Sequence, residues 1–491
     1  VATRSAGPWP KGLDLRTIAD DGDPKSFRTA TNVDLRTDGS VGARDGLEPV
    51  ATLLSESIGL YSINGYLRSV IPAGYSLALS TIGPVPIYYD SVGDGTVYGA
   101  GTITKVIAVT SWGVDAAIGA YPYILLQRDT GRYEHHWITD TPVPNVNGAP
   151  PPPYVPSNDP VSTKVTTLQL GFEPGGAIAK TAEKIWAIDN VNGTVHFSST
   201  TAGPRDWTKV ADAGFLATLR NAVSDRLIRG LGLYDRYLAV IFSDSVQFWL
   251  VDPDPALHRL DRVMNGPGTE YPGSIVNVRG DLFYFSAGVF SSIKQSSYTG
   301  QLREGDIGAP IAPETSLLTT APTAIWSQAR SQYICAFGND VWVYTLSETS
   351  KVMGWRKWTL SVPVEYLVEH DKQLYVRSGA TLYRFNPNYV DGTSFTFETH
   401  YDHFGAPGVR KFAATVDVVM EGTATLSFMP DVRDTTQIEA GPTITGATST
   451  QNDIPALVSG EAIATRFTGA VGGATPWVLG RLSYKYTVLG L

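Results

Sequence analysis

YLAVIFSDSVQFWLV, residues 237–251, is the stretch on which the reading of the fold turns. Tyr237–Phe242 is an apolar run with β-forming side chains, Ser243-Asp244 is a short polar break, and Ser245–Val251 resumes the apolar run. Strand, tight turn and strand together predict a β-hairpin. The same unit recurs as Lys184–Ile188 with Thr194–Ser198, Asp281–Phe285 with Val289–Lys294, Gln332–Phe337 with Asp340–Leu346, and Gln373–Arg377 with Thr381–Phe385. Val191-Asn192-Gly193 and Gly338-Asn339 supply turn residues between paired runs. Aligned on Ile185, Tyr237, Leu282, Tyr333 and Leu374, the units are spaced by 52, 45, 51 and 41 residues. One sheet-forming unit every roughly 40–50 residues is the period of a β-propeller. The expectation is therefore a mainly β chain, a degenerate β-propeller over residues 163–395; an array of β-sandwiches is the alternative reading of the same pattern.

Working outward, residues 55–140 contain short β-like runs at Ile58–Ile63, Leu67–Ile71, Val85–Tyr89, Ile103–Val109 and Tyr121–Gln127, which reads as the first part of the propeller. Residues 141–162 are Pro-rich and include Pro150–Pro153, a loop or semi-rigid spacer because proline cannot join a central strand. Residues 1–54 are polar and rich in Gly and Asp, with turn signals at Asp38-Gly39 and Asp45-Gly46; they read as an extended arm with a hairpin. Residues 396–491 read as a smaller, additional β domain. There Thr415–Met420 and Thr423–Phe428 flank Glu421-Gly422 as a further hairpin, Gly441–Asn452 is expected as a loop, and Leu479–Leu489 as a last strand.

Composition agrees with this class. Of 491 residues, 43% are hydrophobic and only 17% charged, with 49 Gly, 32 Pro, 24 Tyr, 17 Phe and 11 Trp, a mixture suited to short strands and tight turns. The formal charge of −9 argues against tight sequence-specific DNA binding, which calls for a basic surplus, although an acidic wall lets a polyanion slide past. A single cysteine, Cys335, excludes an internal disulfide and a Cys-based zinc site, and its apolar setting marks it as a buried strand residue. Val1 to Gly12 has no apolar run of a signal peptide, and no stretch approaches the roughly 18 apolar residues of a membrane helix.

Motifs for covalent chemistry are incomplete. Gly175–Thr181 ends in Lys180-Thr181, but Ala179 stands where a phosphate loop needs glycine. Gly74–Ala78 and Gly93–Gly99 are partial matches to a nucleophile elbow and a dinucleotide loop, each without a following helix. His135 and His136 are adjacent, so on a strand they face opposite sides and do not share a metal. His400 and His403, with Asp402 between, can converge in a turn but need a third ligand from elsewhere. Trp249, Trp342 and Trp358 lie within β runs, where core packing is the expected role. No catalytic, cofactor or metal residue is assigned, and no enzymatic activity is expected.

Several short stretches resemble a known family. Phe27–Leu35, followed by Asp38–Val41 and Arg44-Asp45-Gly46, is similar to an opening found in phage tail proteins: an Asn-Val-Asp strand, a turn, then an Arg-x-Gly element. Val195–Ser199 with Arg205-Asp206-Trp207 resembles a strand–Ser–loop–Asp-Trp element of propeller-bearing tail proteins. The order of Arg236–Phe242, Ser245–Leu250, Gly280–Phe285 and Gly480–Leu491 is similar to the tail hub or nozzle proteins of short-tailed bacteriophages, the podovirus head-stabilisation or tail-tube family. The Pro150–Pro153 insert departs from that pattern. The resemblance implies a virion structural protein, made in the host cytoplasm, that forms a hexameric ring. Such a ring continues the DNA ejection channel below the portal and its adaptor proteins, and docks tail fibres, spikes or a closing needle. It implies no cofactor, no membrane and no sequence-specific contact with the viral DNA. The alternative on this sequence is a carbohydrate-binding module, or a propeller glycosidase or lyase, acting on host surface sugars.

Overall fold

The computed structural model describes residues 2–16, 23–54, 57–63, 65–72, 87–92, 101–115, 119–138, 162–165, 170–200, 206–207, 212–221, 227–266, 268–293, 306–446 and 451–489. The Pro-rich loop, including Pro150–Pro153, and the partial motifs at Gly74–Ala78 and Gly93–Gly99 lie outside them.

The runs that read as hairpins are the second and third strands of successive propeller blades. Blade III is Pro174–Thr181, Lys184–Asp189, Thr194–Phe197 and Gly214–Leu216; blade IV is Gly230–Tyr234, Tyr237–Ile241, Ser245–Leu250 and Arg259–Asn265. Blade V pairs Val276–Val278, Asp281–Ser286 and Val289–Ser292, and blade VI pairs Thr323–Ser327, Gln332–Phe337, Asp340–Ser347 and Val352–Thr359. Blade VII carries Tyr366–His370, Gln373–Ser378 and Thr381–Asn386. The second strands of blades III, V and VI are buried along their whole length, sandwiched between neighbouring blades, which is why they appear as unbroken apolar runs rather than alternating ones.

Two further blades precede these. Blade I holds Gly59–Ile63, Tyr66–Pro72 and Ile87–Val92, the last running parallel to its neighbour. Blade II holds Ile103–Asp115, Gly119–Arg128, Tyr133–Ile138 and Ser162–Val165. The first strand of each blade touches the first strand of the next, and blade VII returns to blade I, so the described residues close a ring of seven blades.

The ring is locked by a strand from far upstream. Gly46–Thr52 pairs antiparallel with Thr381–Asn386 as the fourth strand of blade VII, with Gly46 opposite Asn386 and Thr52 opposite Thr381. The rest of the N-terminal region is likewise sheet in place of an extended arm. Ala2–Ala6 pairs with Val478–Val488, and Ser26–Thr31 with Ser394–Thr399. The hairpin itself is present, Val33–Leu35 against Val41–Ala43.

The C-terminal strands form a β-sandwich with these N-terminal ones. Its central element corrects the sequence expectation: Lys411–Met429 is one strand of 19 residues, with no hairpin at Glu421-Gly422. Its first half pairs with Val478–Val488 and Gln451–Gly460, and its second half with Ala464–Ala470 and Glu439–Gly446. Gly422 (φ +79°) marks the place where the strand passes from one sheet to the other, and a Cβ there would lie 2.7 Å from the Thr475 carbonyl oxygen. A glycine inside a strand signals a bend or close approach as readily as a turn. Of the stretch Gly441–Asn452, expected as a loop, residues 441–446 and 451–452 instead belong to the strands Glu439–Gly446 and Gln451–Gly460, both paired with Lys411–Met429, and residues 447–450 lie outside the described residues.

One hydrophobic core runs through both parts, from Phe285, Tyr333 and Trp355 of the propeller to Phe397, Phe467 and Trp477 of the sandwich. Phe395 and Trp477 stack with ring centroids 4.4 Å apart at its sandwich end. No helix among the described residues is long and apolar enough to cross a membrane.

Candidate functional site: the propeller–sandwich junction

The blade VI sheet does not stop at its outer strand. Gly12 pairs in parallel with Trp355, Thr31 with Lys357, and Gly12 and Leu13 with Ser26 and Phe27, so hydrogen-bonded strands run from the propeller into the sandwich. Residues 32–46 sit at this seam.

Asn32 adopts φ +57°, a left-handed conformation that asparagine tolerates better than most residues. Its side-chain oxygen accepts from Arg44 Nε (3.0 Å) and from the Thr359 amide of blade VI (2.8 Å). Its amide nitrogen donates to the Ser394 carbonyl of the sandwich at 2.8 Å. One residue thereby ties both parts together. Arg44 is fully buried and donates to Asp391 Oδ2 (2.8 Å), the Asp45 carbonyl (2.8 Å) and Thr393 Oγ1 (2.9 Å). Asp391 also accepts from the amides of Leu47 and Thr393, each at 3.0 Å. Burial pushes the Asp391 carboxyl up, but the Arg44 charge and these hydrogen bonds outweigh it and hold the group below its ordinary range.

Two further pairs flank this one. Asp34 is bonded to the buried Arg356 and accepts from Gln332 Nε2 at 3.2 Å, while Asp45 is bonded to Arg330. Trp358 Nε1 donates to the Val33 carbonyl at 3.1 Å and Thr345 Oγ1 to that of Leu35 at 2.9 Å. Buried charge pairs add little net stability over apolar packing, but a shifted register leaves a buried charge unpaired and costs several kcal/mol. The seam therefore selects one docking geometry. Tyr389, just before Asp391, completes it: a Cβ on Gly46 would lie 1.7 Å from its carbonyl oxygen, and one on Gly472 of the sandwich 1.8 Å.

Val195–Phe197 belongs to the third strand of blade III, and Trp207 packs against Tyr123 of blade II. The Ser199 amide donates to the Asp206 carbonyl at 3.0 Å, and the adjacent Trp207 clusters with Tyr123, His135 and Phe172. Arg205 lies outside the described residues. Asp212 is bonded to Lys184, Ser199 and Thr200; partial burial pushes its carboxyl up, but these contacts outweigh it and hold the group well below the ordinary range.

The other candidate residues are placed as follows. His135 and His136 point to opposite faces: His135 Nδ1 meets Tyr123 Oη at 2.7 Å, and His136 Nε2 meets Glu134 Oε1 at 3.0 Å beside Arg128. Burial, reinforced by His136, lowers the His135 pKa to about 3. The unfolded side chain takes up a proton near pH ~6.5 and the folded one does not until about 3, so this stabilisation is complete above that upper value and is lost as pH falls between the two. Urea midpoints should decline across this interval, and His135→Phe should flatten the decline; an unchanged slope would count against the assignment. Cys335 is fully buried, which pushes its thiol pKa up, so a thiol reagent should leave the native chain unlabelled and react on unfolding. Trp249, Trp342 and Trp358 are all buried in the core, Lys180 lies near Ser111 Oγ at 3.4 Å, and His400, Asp402 and His403 line a cavity in the sandwich. Among the described residues no group of three His, Cys, Asp or Glu side chains is placed to hold a metal ion.

Fold and seam together define a seven-bladed β-propeller joined by continuous strand pairing to a β-sandwich. No family model matches the chain, and no curated protein matches it. Among solved structures it is similar to a streptogramin B lyase, at 10% identity and a TM-score of 0.39 over 69% of this chain and 96% of that one. It is also similar to virginiamycin B lyase from Staphylococcus aureus (10% identity, TM-score 0.33, 58% and 90% covered) and to the AfRom2 CNH domain (10%, 0.27, 70% and 93%). These values are too low to carry an argument, and the blade assignment rests on the strand pairing.

Proposed function

We propose that this chain is a non-catalytic structural subunit of a bacteriophage tail, a hub or nozzle protein that assembles as a hexameric ring. In this reading the ring continues the DNA ejection channel below the portal and adaptor and docks fibres, spikes or a closing needle. The observation that carries the reading is the seam: the residues resembling the opening of phage tail proteins, Asn32, Asp34, Arg44, Asp45 and Gly46, are those that join propeller to sandwich. A conduit under load calls for subunits that transmit force without hinging, and strand pairing across the seam supports such a role. A closed ring needs two different complementary faces on each copy, which a propeller and a sandwich held at a set angle can offer. The formal charge of −9 per copy suits a wall past which DNA slides with little adhesion. Quantitative mass spectrometry of purified virions tests the assignment: the chain should be present at a fixed stoichiometry of six per portal ring. Its absence from particles would refute it.

A further inference from the structure

The sandwich contains a cavity of about 190 Å³ that uses none of the seam's charged residues. Arg4, Trp9, Ser26, His400, Asp402 and Tyr484 are among the residues that line it. Most polar groups on its wall are engaged. Asp402 accepts from Arg4 Nε at 2.8 Å and from the Phe404 amide at 2.6 Å, and the Ser26 hydroxyl donates to the Asp23 carbonyl at 2.8 Å. Tyr401, also on the wall, donates to the Asp431 carbonyl at 3.1 Å, and Tyr484 is bonded to Thr465.

His400 is the exception. It is 6% exposed, and neither ring nitrogen has a hydrogen-bond partner. Leaving buried polar atoms unpaired is costly, so such a group lining an open cavity marks a place for an occupant. The identity of the other free donor narrows the choice. Arg4 lines the same cavity, spends only Nε on Asp402, and has a half-exposed side chain whose other guanidinium N–H groups are available as donors. We infer that this cavity binds a small monocarboxylate, held between the Arg4 guanidinium and the His400 imidazole. A carboxylate is acceptor-only and planar, matching guanidinium on one oxygen edge and a donating imidazole on the other. The Asp402 carboxylate in the wall disfavours ligands of higher negative charge.

The charges around His400 make this binding proton-linked. Burial lowers the His400 pKa, Arg28 acts in the same direction, and Asp14 and Asp23 oppose them. On the cavity wall Arg4 and Asp402 are paired, and His403 also lines it. The empty site therefore holds a neutral imidazole, and an arriving carboxylate brings one proton onto it. Affinity should rise up to tenfold for each unit by which pH falls toward the histidine range.

The test is titration of the full chain, with ¹⁵N-labelled histidine, by sodium acetate against sodium chloride at matched ionic strength, between pH 5.5 and 7.5. The inference predicts a saturable shift of the His400 ring signals with acetate alone, tighter at low pH and weakened severalfold by Arg4→Gln. His400→Gln should abolish the acetate-dependent rise in melting temperature. If that variant does not fold, the wild-type and Arg4→Gln titrations decide by themselves. A pH-independent response, an equal response to chloride, or no saturable shift would overturn the inference and leave the cavity to water.

Discussion

Arg44→Ala should lower the stability of the chain by about 3–5 kcal/mol, the range for stripping one partner from a buried ion pair. The truncation leaves Asp391, almost fully buried, with a charge that no longer has its counterion, and removes donors to Asn32 and Thr393 as well. Asp391→Ala should cost a similar amount, because Arg44 is then the stranded charge. The double variant should recover part of the loss, since replacing both partners removes the uncompensated charge. Urea denaturation of the four proteins measures the coupling. A loss below about 1 kcal/mol in either single variant, the level of an exposed pair, would show that the seam is solvated and not the clamp described here.

Gly46→Ala and Gly472→Ala should each exceed the usual about 1–3 kcal/mol of overpacking, because the obstacle is a backbone carbonyl rather than a flexible side chain. The Tyr389 oxygen would lie 1.7 Å from one added Cβ and 1.8 Å from the other. Gly472 also sits at φ +76°, which adds a left-handed penalty of about 1–2 kcal/mol. Gly338→Ala is the matched control: φ is +64°, yet nothing lies within 4 Å of the added carbon. It should cost the conformational penalty alone. Displacing Tyr389 should loosen the strand Gly46–Thr52 from blade VII, so limited proteolysis should open the Gly46 variant near this strand before the rest of the ring. Equal melting temperatures for the Gly46 and Gly338 variants would contradict the geometry.

What could be read in the sequence follows from where each strand sits. Lys184–Asp189, Asp281–Ser286 and Gln332–Phe337 are buried on both faces, so their apolar runs were legible and their spacing disclosed the propeller. Outer strands such as Arg259–Asn265 are largely exposed and carry no such run. The closing strand Gly46–Thr52 reads as part of an arm because its partner lies more than 300 residues away, and local pattern carries no record of that pairing. Glu421-Gly422 misled for a physical reason: glycine serves a strand bend as well as a turn. The seam has no local signature in the sequence. Nothing near Asp34 or Arg44 announces Arg356 or Asp391, which folding brings to them. His400 and His403 stand out in the sequence as a pair, but the cavity they line is built from residues as far apart as Arg4 and Tyr484.

Cryo-electron microscopy of the virion tail tests the central claim most directly. The account predicts a sixfold ring of this chain coaxial with the portal, its lumen wider than the roughly 20 Å of duplex DNA, with propeller and sandwich superimposing on the structure described here as one body. Density for the chain only at fibre tips, or a propeller and sandwich at variable angles about residues 32–46, would contradict it.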